Sequence, residues 1–290
     1  MKKQKNKKKK SGRWINLLLV VLFLAGWGVL LYPTFSDLWN TYRNSKLINH
    51  YQQTLEKTTD EKAQQMLAAA GEYNRLHTTN TILDAFDENG EEYQLTHPYD
   101  ELLNLAGDGI MGYLDVPRIN LEIPIFHGVG ANQLERGCGH LQGTSLPIGG
   151  VGSHAVMAAH RGLPSAKLFT DLDQIEVGDE FYLHVLQETL AYRVTKIQTV
   201  LPDNAEGLAI DSALDQVTLL TCTPYGVNSH RLLVTGVRVA LDEKKVEQEA
   251  PSIVKDRRVQ LLLIGSAVAI VLIIILVIRN RKRNKREGNG

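Results

Sequence analysis

Cys222 and Arg231 stand nine residues apart in the segment Val217 to Val239, VTLLTCTPYGVNSHRLLVTGVRV. The segment reads as strand, loop, strand. Cys222 closes the first strand, Pro224, Gly226 and Asn228 build the loop, and Arg231 opens the second. Pairing of the strands as an antiparallel hairpin brings the two side chains to the same mouth. A permanent cation beside a thiol favours the thiolate, which is the nucleophilic form. The same cation can stabilise the oxyanion that forms when the thiolate attacks a carbonyl.

Acyl transfer through a cysteine also needs a group to carry the leaving amine's proton, and histidine suits that task near neutral pH. The chain has nine histidines. His160 ends the apolar run AVMAAH and is followed by the turn RGLP, which places it at a strand end, as Cys222 is. His230 adjoins Arg231, but strand alternation points it to the opposite face. His140 and His154 lie in turn-like contexts. Position favours His160.

There are two cysteines, Cys138 and Cys222. In an exported domain two cysteines can form one structural disulfide. The other reading is a free catalytic thiol, and spacing does not choose between them. No cluster of residues has metal-ligand spacing, and the chemistry above requires no metal or cofactor.

The elements that must position these residues start near Ile110. From there Val, Ile and Leu runs are broken by Gly and Pro: MGYLDVPRINLEIPIFHG, SHAVMAAH, EFYLHVL, LAYRVTKIQTV, QVTLLTC and RLLVTGVRVAL. Short strands with turn signals between them indicate a closed or sandwich-like β domain ending near Leu241. Residues 36–70 read as a helix, with Leu38, Tyr42, Leu47, Tyr51 and Leu55 at helical steps. Ser36 or Asp37 is suited to cap its start, and Gly71 to break it. Residues 76–108 read as a loop-rich segment with short helical turns.

The formal net charge is zero, but it is unevenly spread. Residues 1–13 carry eight Lys/Arg and residues 279–286 carry six; the stretch between them holds 18 basic and 31 acidic residues, a formal charge of −13. Each basic end abuts an uncharged apolar run, Trp14 to Tyr32 and Val259 to Ile278. Each run has the roughly 20 residues that a helix needs to cross the hydrocarbon core. Flanking Lys/Arg clusters remain on the cytoplasmic side, so both termini are expected inside and residues 33–258 outside. The basic ends are thus read as topology signals rather than as nucleic-acid tails. The first run is read as an uncleaved anchor rather than a signal peptide, since no small-x-small cleavage site follows it.

Several segments together resemble the sortases, cysteine transpeptidases of Gram-positive bacteria. Thr218 to Arg231, TLLTCTPYGVNSHR, resembles the family's active-site signature of Thr-Leu-x-Thr-Cys with a downstream arginine. HAVMAAHRGLPSAKLFTDL (154–172) is similar to the stretch bearing the family's histidine. GYLDVPRINLEIPIFHG (112–128) and GHLQGTSLPIGG (139–150) match its earlier blocks. The resemblance implies a mainly β protein with a sortase-type eight-stranded β-barrel, N-terminal helices and two transmembrane helices. It implies Cys222 as nucleophile, His160 as general acid and base, and Arg231 as oxyanion and substrate stabiliser. Cys138 is then a buried structural thiol, because a disulfide to Cys222 would silence the enzyme.

The second span and the segment before the barrel resemble class C sortases, the pilus polymerases. That class carries a lid with Asp-Pro-aromatic over the active site. Leu83-Asp84-Ala85-Phe86 lies in the corresponding region, with Asp84 expected near Arg231 and Phe86 over Cys222; Ala85 departs from the usual proline. The implied organisation is a basic tail (1–13), a transmembrane helix (14–32), a helical segment (33–75), a lid and connecting loop (76–108), a catalytic barrel (109–241), a tether (242–258), a second transmembrane helix (259–278) and a basic tail (279–290). The implied reaction cleaves a Leu-Pro-x-Thr-Gly-like sorting signal between Thr and Gly and joins the acyl group to a pilin lysine, polymerising pili. The partners are pilin subunits with C-terminal sorting signals. The alternative acceptor is the cell-wall precursor, for a sortase that anchors surface proteins. A hydrolytic cysteine protease and a non-enzymatic membrane adhesin are the rival classes.

Overall fold

The computed structural model describes residues 8–76, 99–204, 206–242, 244, 264–267, 271 and 278. The apolar runs after Ile110 form eight strands: β1 Ile110–Val116, β2 Leu121–His127, β3 Cys138–His140, β4 Ser153–Ala158, β5 Glu180–Val185, β6 Glu188–Val200, β7 Asp215–Thr223 and β8 His230–Val239. They close into a barrel in the order β1-β2-β3-β4-β7-β8-β6-β5, with β5 returning to β1 through Leu114 opposite Leu183. The expected closed β architecture is therefore present. Neighbours pair antiparallel except β2 with β3 and β4 with β7, which are parallel.

β3 is the strand that periodicity could not reveal, since three residues show no pattern. It depends on a glycine. A Cβ on Gly139 would lie 2.1 Å from the Gly128 carbonyl oxygen, so only glycine lets the backbones approach this closely. His140 and His154, expected in turns, lie in β3 and β4 and are buried. His140 Nε2 donates to the Ser145 carbonyl (2.8 Å), which leaves Nδ1 to accept from the Tyr99 hydroxyl (2.8 Å).

The barrel interior is filled by the inward residues of every strand. Leu114, Ile125, Met157, Phe181, Tyr192, Leu219 and Val234 belong to one continuous core, which extends to Phe169 and Leu172 of a 3₁₀ segment, Leu168–Gln174. Such close-packed interiors hold strand ends in fixed relation.

Two helices precede the barrel, α1 Lys8–Glu56 and α2 Asp60–Leu76. The expected helix start at Ser36 is corrected: α1 runs on from Lys8 through Pro33. Ser36 and Asp37 do not cap it but serve tertiary contacts. The Ser36 hydroxyl donates to the Ser165 carbonyl (3.0 Å), and the Lys167 N–H donates to Asp37 Oδ1 (2.6 Å). The break lies at Lys57–Thr59 rather than at Gly71, which sits inside α2. Thr59 Oγ1 accepts from the Lys62 N–H (3.3 Å), a threonine cap followed by Asp60 and Glu61 in the first turn. An interior glycine costs only about 1 kcal/mol relative to alanine, and burial of Ala63, Ala70 and Tyr73 offsets it.

Of the expected apolar stripe of α1, Tyr51 is buried and Leu47 and Leu55 pack against the core, while Tyr42 departs from it. Tyr42 is exposed, whereas Asn40, Asn44, Ile48 and Tyr51 are buried. Tyr51 is the anchor: its hydroxyl donates to the Met111 carbonyl (3.1 Å) and accepts from the Leu186 N–H (2.7 Å).

The chain divides into two compact units, 1–35 with 252–290, and 36–251. In the first, α1 exposes Leu18, Val21, Leu22, Phe23, Leu24, Val29 and Leu30. Among the described residues, α1 is the one helix long and apolar enough to cross a membrane. Most of the apolar run 259–278 lies outside the described residues.

Candidate active site

The sheet β4-β7-β8 has two faces, and the register sorts the candidate residues between them. Ala155, Met157, Val217, Leu219, Leu232 and Val234 face the barrel core. Val156, Ala158, Leu220 and Leu233 turn to the other face, where they form a second apolar cluster with Leu134, Leu141 and Leu208. Side chains alternate along a strand, so residues two apart share a face. Cys222 follows Leu220 by two positions, His160 follows Ala158 by two, and Arg231 precedes Leu233 by two. All three belong to the face of the second cluster.

Cross-strand pairing puts Cys222 and Arg231 in one row. Cys222 is directly opposite Arg231, one pair beyond Thr221 with Leu232. β4 lies parallel to β7 with Ala158 opposite Leu220, the last paired position. The Ala159 N–H donates to the Leu220 carbonyl (3.2 Å), and Thr221 Oγ1 donates to the Ala159 carbonyl (2.7 Å). His160 lies two residues past Ala158, and Cys222 two past Leu220, the last paired position. The row is Cys222 and Arg231 on β7 and β8, with His160 in the segment that leaves β4, next to Ala159, which is bonded to Leu220 and Thr221. Below it run Ala158, Leu220, Leu233 and then Val156, Thr218, Thr235.

Burial is deep for groups of this kind. Cys222 is 7% exposed and Arg231 8%. The Arg231 guanidinium is steadied by its own loop: Nη1 donates to the Asn228 carbonyl (3.1 Å) and the His230 carbonyl (3.2 Å). Asn228 adopts a left-handed backbone, φ 59°, which asparagine tolerates better than most residues. Burial pushes the His160 imidazole below its usual pKa, and the Glu135 carboxylate partly opposes that shift.

Both cysteines are free thiols. Cys138 sits in the barrel core, with its Sγ 3.5 Å from the Pro124 carbonyl. Complete burial pushes its thiol pKa up. It is a packed, unreactive thiol, and the disulfide alternative is excluded. His230 opens β8 opposite Thr223, with its ring on the Ser229 hydroxyl (2.9 Å), outside the row. Asp84 and Phe86 lie outside the described residues. Among the described residues no group of His, Cys, Asp and Glu could hold a metal ion.

Polar residues that sequence reasoning did not select support the row. His154 Nδ1 donates to the Ala209 carbonyl (2.9 Å), so its Nε2 accepts from Thr218 Oγ1 (2.8 Å), which in turn accepts from Thr235 Oγ1 (2.8 Å). This chain pins β4, β7 and β8 together two rows below the chemistry. Arg161 Nη1 donates to Thr223 Oγ1 (3.1 Å). The even spacing of 154, 156, 158 and 160 was the signal that could have found His154.

A thiol and a guanidinium in one row, with an imidazole in the neighbouring segment, on a face lined by apolar residues, suit attack on a peptide carbonyl. Comparison with known proteins agrees. The sortase domain family model matches residues 114–239. A solved structure of Streptococcus pneumoniae Sortase C is similar at 39% identity over 68% of this chain and 97% of that chain, with a TM-score of 0.63. Streptococcus agalactiae Sortase C1 is similar at 42% identity over 69% of this chain and 97% of that chain, with the same TM-score, 0.63. Sortase A of Bacillus anthracis is 24% identical over 233 residues, 80% of this chain and 98% of the relative. With a matching barrel, a matching domain model and class C enzymes as structural neighbours, the chain belongs to the sortase family of cysteine transpeptidases.

Proposed function

We propose that this enzyme is a pilus-polymerising sortase that uses Cys222, His160 and Arg231. The observation that supports the catalytic assignment is the direct pairing of Cys222 with Arg231 at the strand ends, with His160 two residues past the end of the neighbouring β4. The Cys222 thiolate attacks the carbonyl of the threonine in a Leu-Pro-x-Thr-Gly-like sorting signal. Arg231 holds the charge that develops on the carbonyl oxygen. His160 delivers a proton to the leaving glycine amine, and the C–N bond breaks to leave a thioester on Cys222. A lysine amine of the next pilin attacks the thioester carbonyl and loses a proton to His160; the C–S bond breaks, Cys222 leaves as the thiolate and the product departs with an isopeptide bond. An unperturbed thiol is only a few per cent ionised near pH 7, so the neighbouring cation and base matter.

The pilin substrate is supported by the class C neighbours; the S. pneumoniae enzyme has been analysed for its pilin substrate specificity. The cell-wall precursor is the alternative acceptor, and mass spectrometry of the product separates the two by the amine attached. The proposed setting is a two-pass membrane protein with both basic ends inside and the barrel outside, from the two apolar runs and their flanking charges. Asp84 and Phe86 are the proposed lid, from their resemblance to the class C segment. Replacing both should speed alkylation of Cys222 by a small thiol reagent, and an unchanged rate would remove them from the site.

The test of the assignment is Cys222→Ala in the full-length membrane protein. Loss of pilin laddering is expected. Laddering that persists would end the Cys222 assignment.

A further inference from the structure

We infer that Arg161 is a positioning residue that splints the strand exits carrying His160 and Cys222, an inference that rests on the catalytic assignment proposed above. The pairing of β4 with β7 ends at Ala158 and Leu220, two residues before His160 and Cys222. Beyond that point the ladder no longer sets the spacing of the two chains. Two side-chain bonds do so instead, one on each side of the pair. Thr221 Oγ1 donates to the Ala159 carbonyl (2.7 Å), before His160 and Cys222. Arg161 Nη1 donates to Thr223 Oγ1 (3.1 Å), after them. Residues 159 and 161 are thereby tied to 221 and 223, with the reacting pair between. Thr223 points to the face opposite Cys222 by alternation. The Arg161 bond therefore runs behind the reacting groups and leaves their face clear.

The splint has a fixed foundation. Arg161 Nη2 forms an ion pair with the Asp173 carboxylate. Asp173 belongs to the 3₁₀ segment Leu168–Gln174, whose Leu168, Phe169 and Leu172 are buried in the barrel core. The same segment holds the His160 backbone, since the Phe169 N–H donates to the His160 carbonyl (3.1 Å). The Gly162 N–H adds a bond to Thr170 Oγ1 (3.2 Å). The Arg161 side chain is 8% exposed, against 50% for Asp173. A guanidinium suits this place because its planar fork reaches two partners at once. A lysine ammonium can satisfy Thr223 or Asp173 but lacks the fork that bridges them.

The consequence is kinetic. Acyl transfer requires the base and nucleophile in near-attack geometry, and a misplacement of about 1 Å can cost roughly 10²-fold in rate. The test uses the full-length protein with a sorting-signal peptide and an amine acceptor. It compares Arg161→Ala, Thr223→Val, the double variant and Arg161→Lys, with Cys222→Ala as control. Each single alanine or valine change should lower kcat about tenfold while KM stays within about twofold, since substrate contacts are untouched. The double variant should be no slower than Arg161→Ala, because that change already removes the Thr223 bond along with the Asp173 ion pair. Arg161→Lys should recover only part of the loss. Unchanged kcat in the single variants, or losses that multiply in the double, would overturn the splint. Thr223→Val keeps the side-chain shape at the strand end, so it reports even if Arg161→Ala folds poorly. Activity retained by Cys222→Ala would instead end the catalytic assignment, so the two failures are distinguishable.

Discussion

At the scale of single residues, the two thiols show how environment decides chemistry. Cys138 and Cys222 are both mostly hidden from solvent, yet they have opposite surroundings. Cys138 lies among apolar side chains, where burial favours the neutral thiol. Cys222 lies opposite a guanidinium. The labelling experiment proposed for the lid should therefore show one reactive thiol in the folded protein, with Cys138 joining only on denaturation. Sequence reasoning reached Cys222 and Arg231 from local spacing, because a hairpin makes residues close in sequence close in space. His160 was reachable only as a strand-end histidine. Its partner is 62 positions away along the chain, and a parallel pairing of β4 with β7 has no signature in either segment alone. Arg161 was invisible for the same reason, since its two partners lie in other elements.

At the scale of elements, the helix that precedes the barrel is held through one aromatic residue. The Tyr51 hydroxyl makes two bonds to backbone groups on separate strand regions, Met111 and Leu186. Burial and the loss of water push its pKa up to about 12, so it remains a neutral donor. Tyr51→Phe leaves the Leu186 N–H without that acceptor and should destabilise the folded unit by about 1–3 kcal/mol, the range for an orphaned buried group. A denaturant titration checks this, and an unchanged midpoint would show that α1 docks without the hydroxyl. The sequence pattern predicted a helix here but misjudged its start and the exposure of Tyr42. Ser36 and Asp37 looked like caps because serine and aspartate prefer that position. In the folded chain they bind the loop after His160 at Ser165 and Lys167. Buried Asn40 and Asn44 likewise broke the apolar stripe that periodicity sought.

At the scale of the whole molecule, buried histidines tie stability to pH. His140 and His184 are held neutral, each with its pKa lowered by burial to about 4. His184 is stacked on Tyr113 at 4.3 Å, and His140 is bonded to Ser145 and Tyr99. In unfolded chain each binds a proton near pH 6.5, so between about pH 6.5 and pH 4 the unfolded state holds more protons. Stability is then full above pH 6.5 and is lost as pH falls through that window. Between about pH 7.5 and pH 5 each histidine should account for roughly 2 kcal/mol, read as a fall in the denaturant midpoint. A midpoint flat over that range would refute the prediction, and His184→Gln should remove part of the slope, since burial lowers His140, His154 and His160 as well. What the sequence alone determined was what local order can encode: a strand-rich domain from Ile110 to near Leu241, two apolar runs each beside a basic end, and a thiol and a guanidinium brought together by one hairpin. The closure of the barrel in its strand order and the splint from Arg161 were decided by tertiary structure. Each depends on pairings between segments far apart in the chain, and those pairings are selected by burial of a shared core rather than by any local pattern.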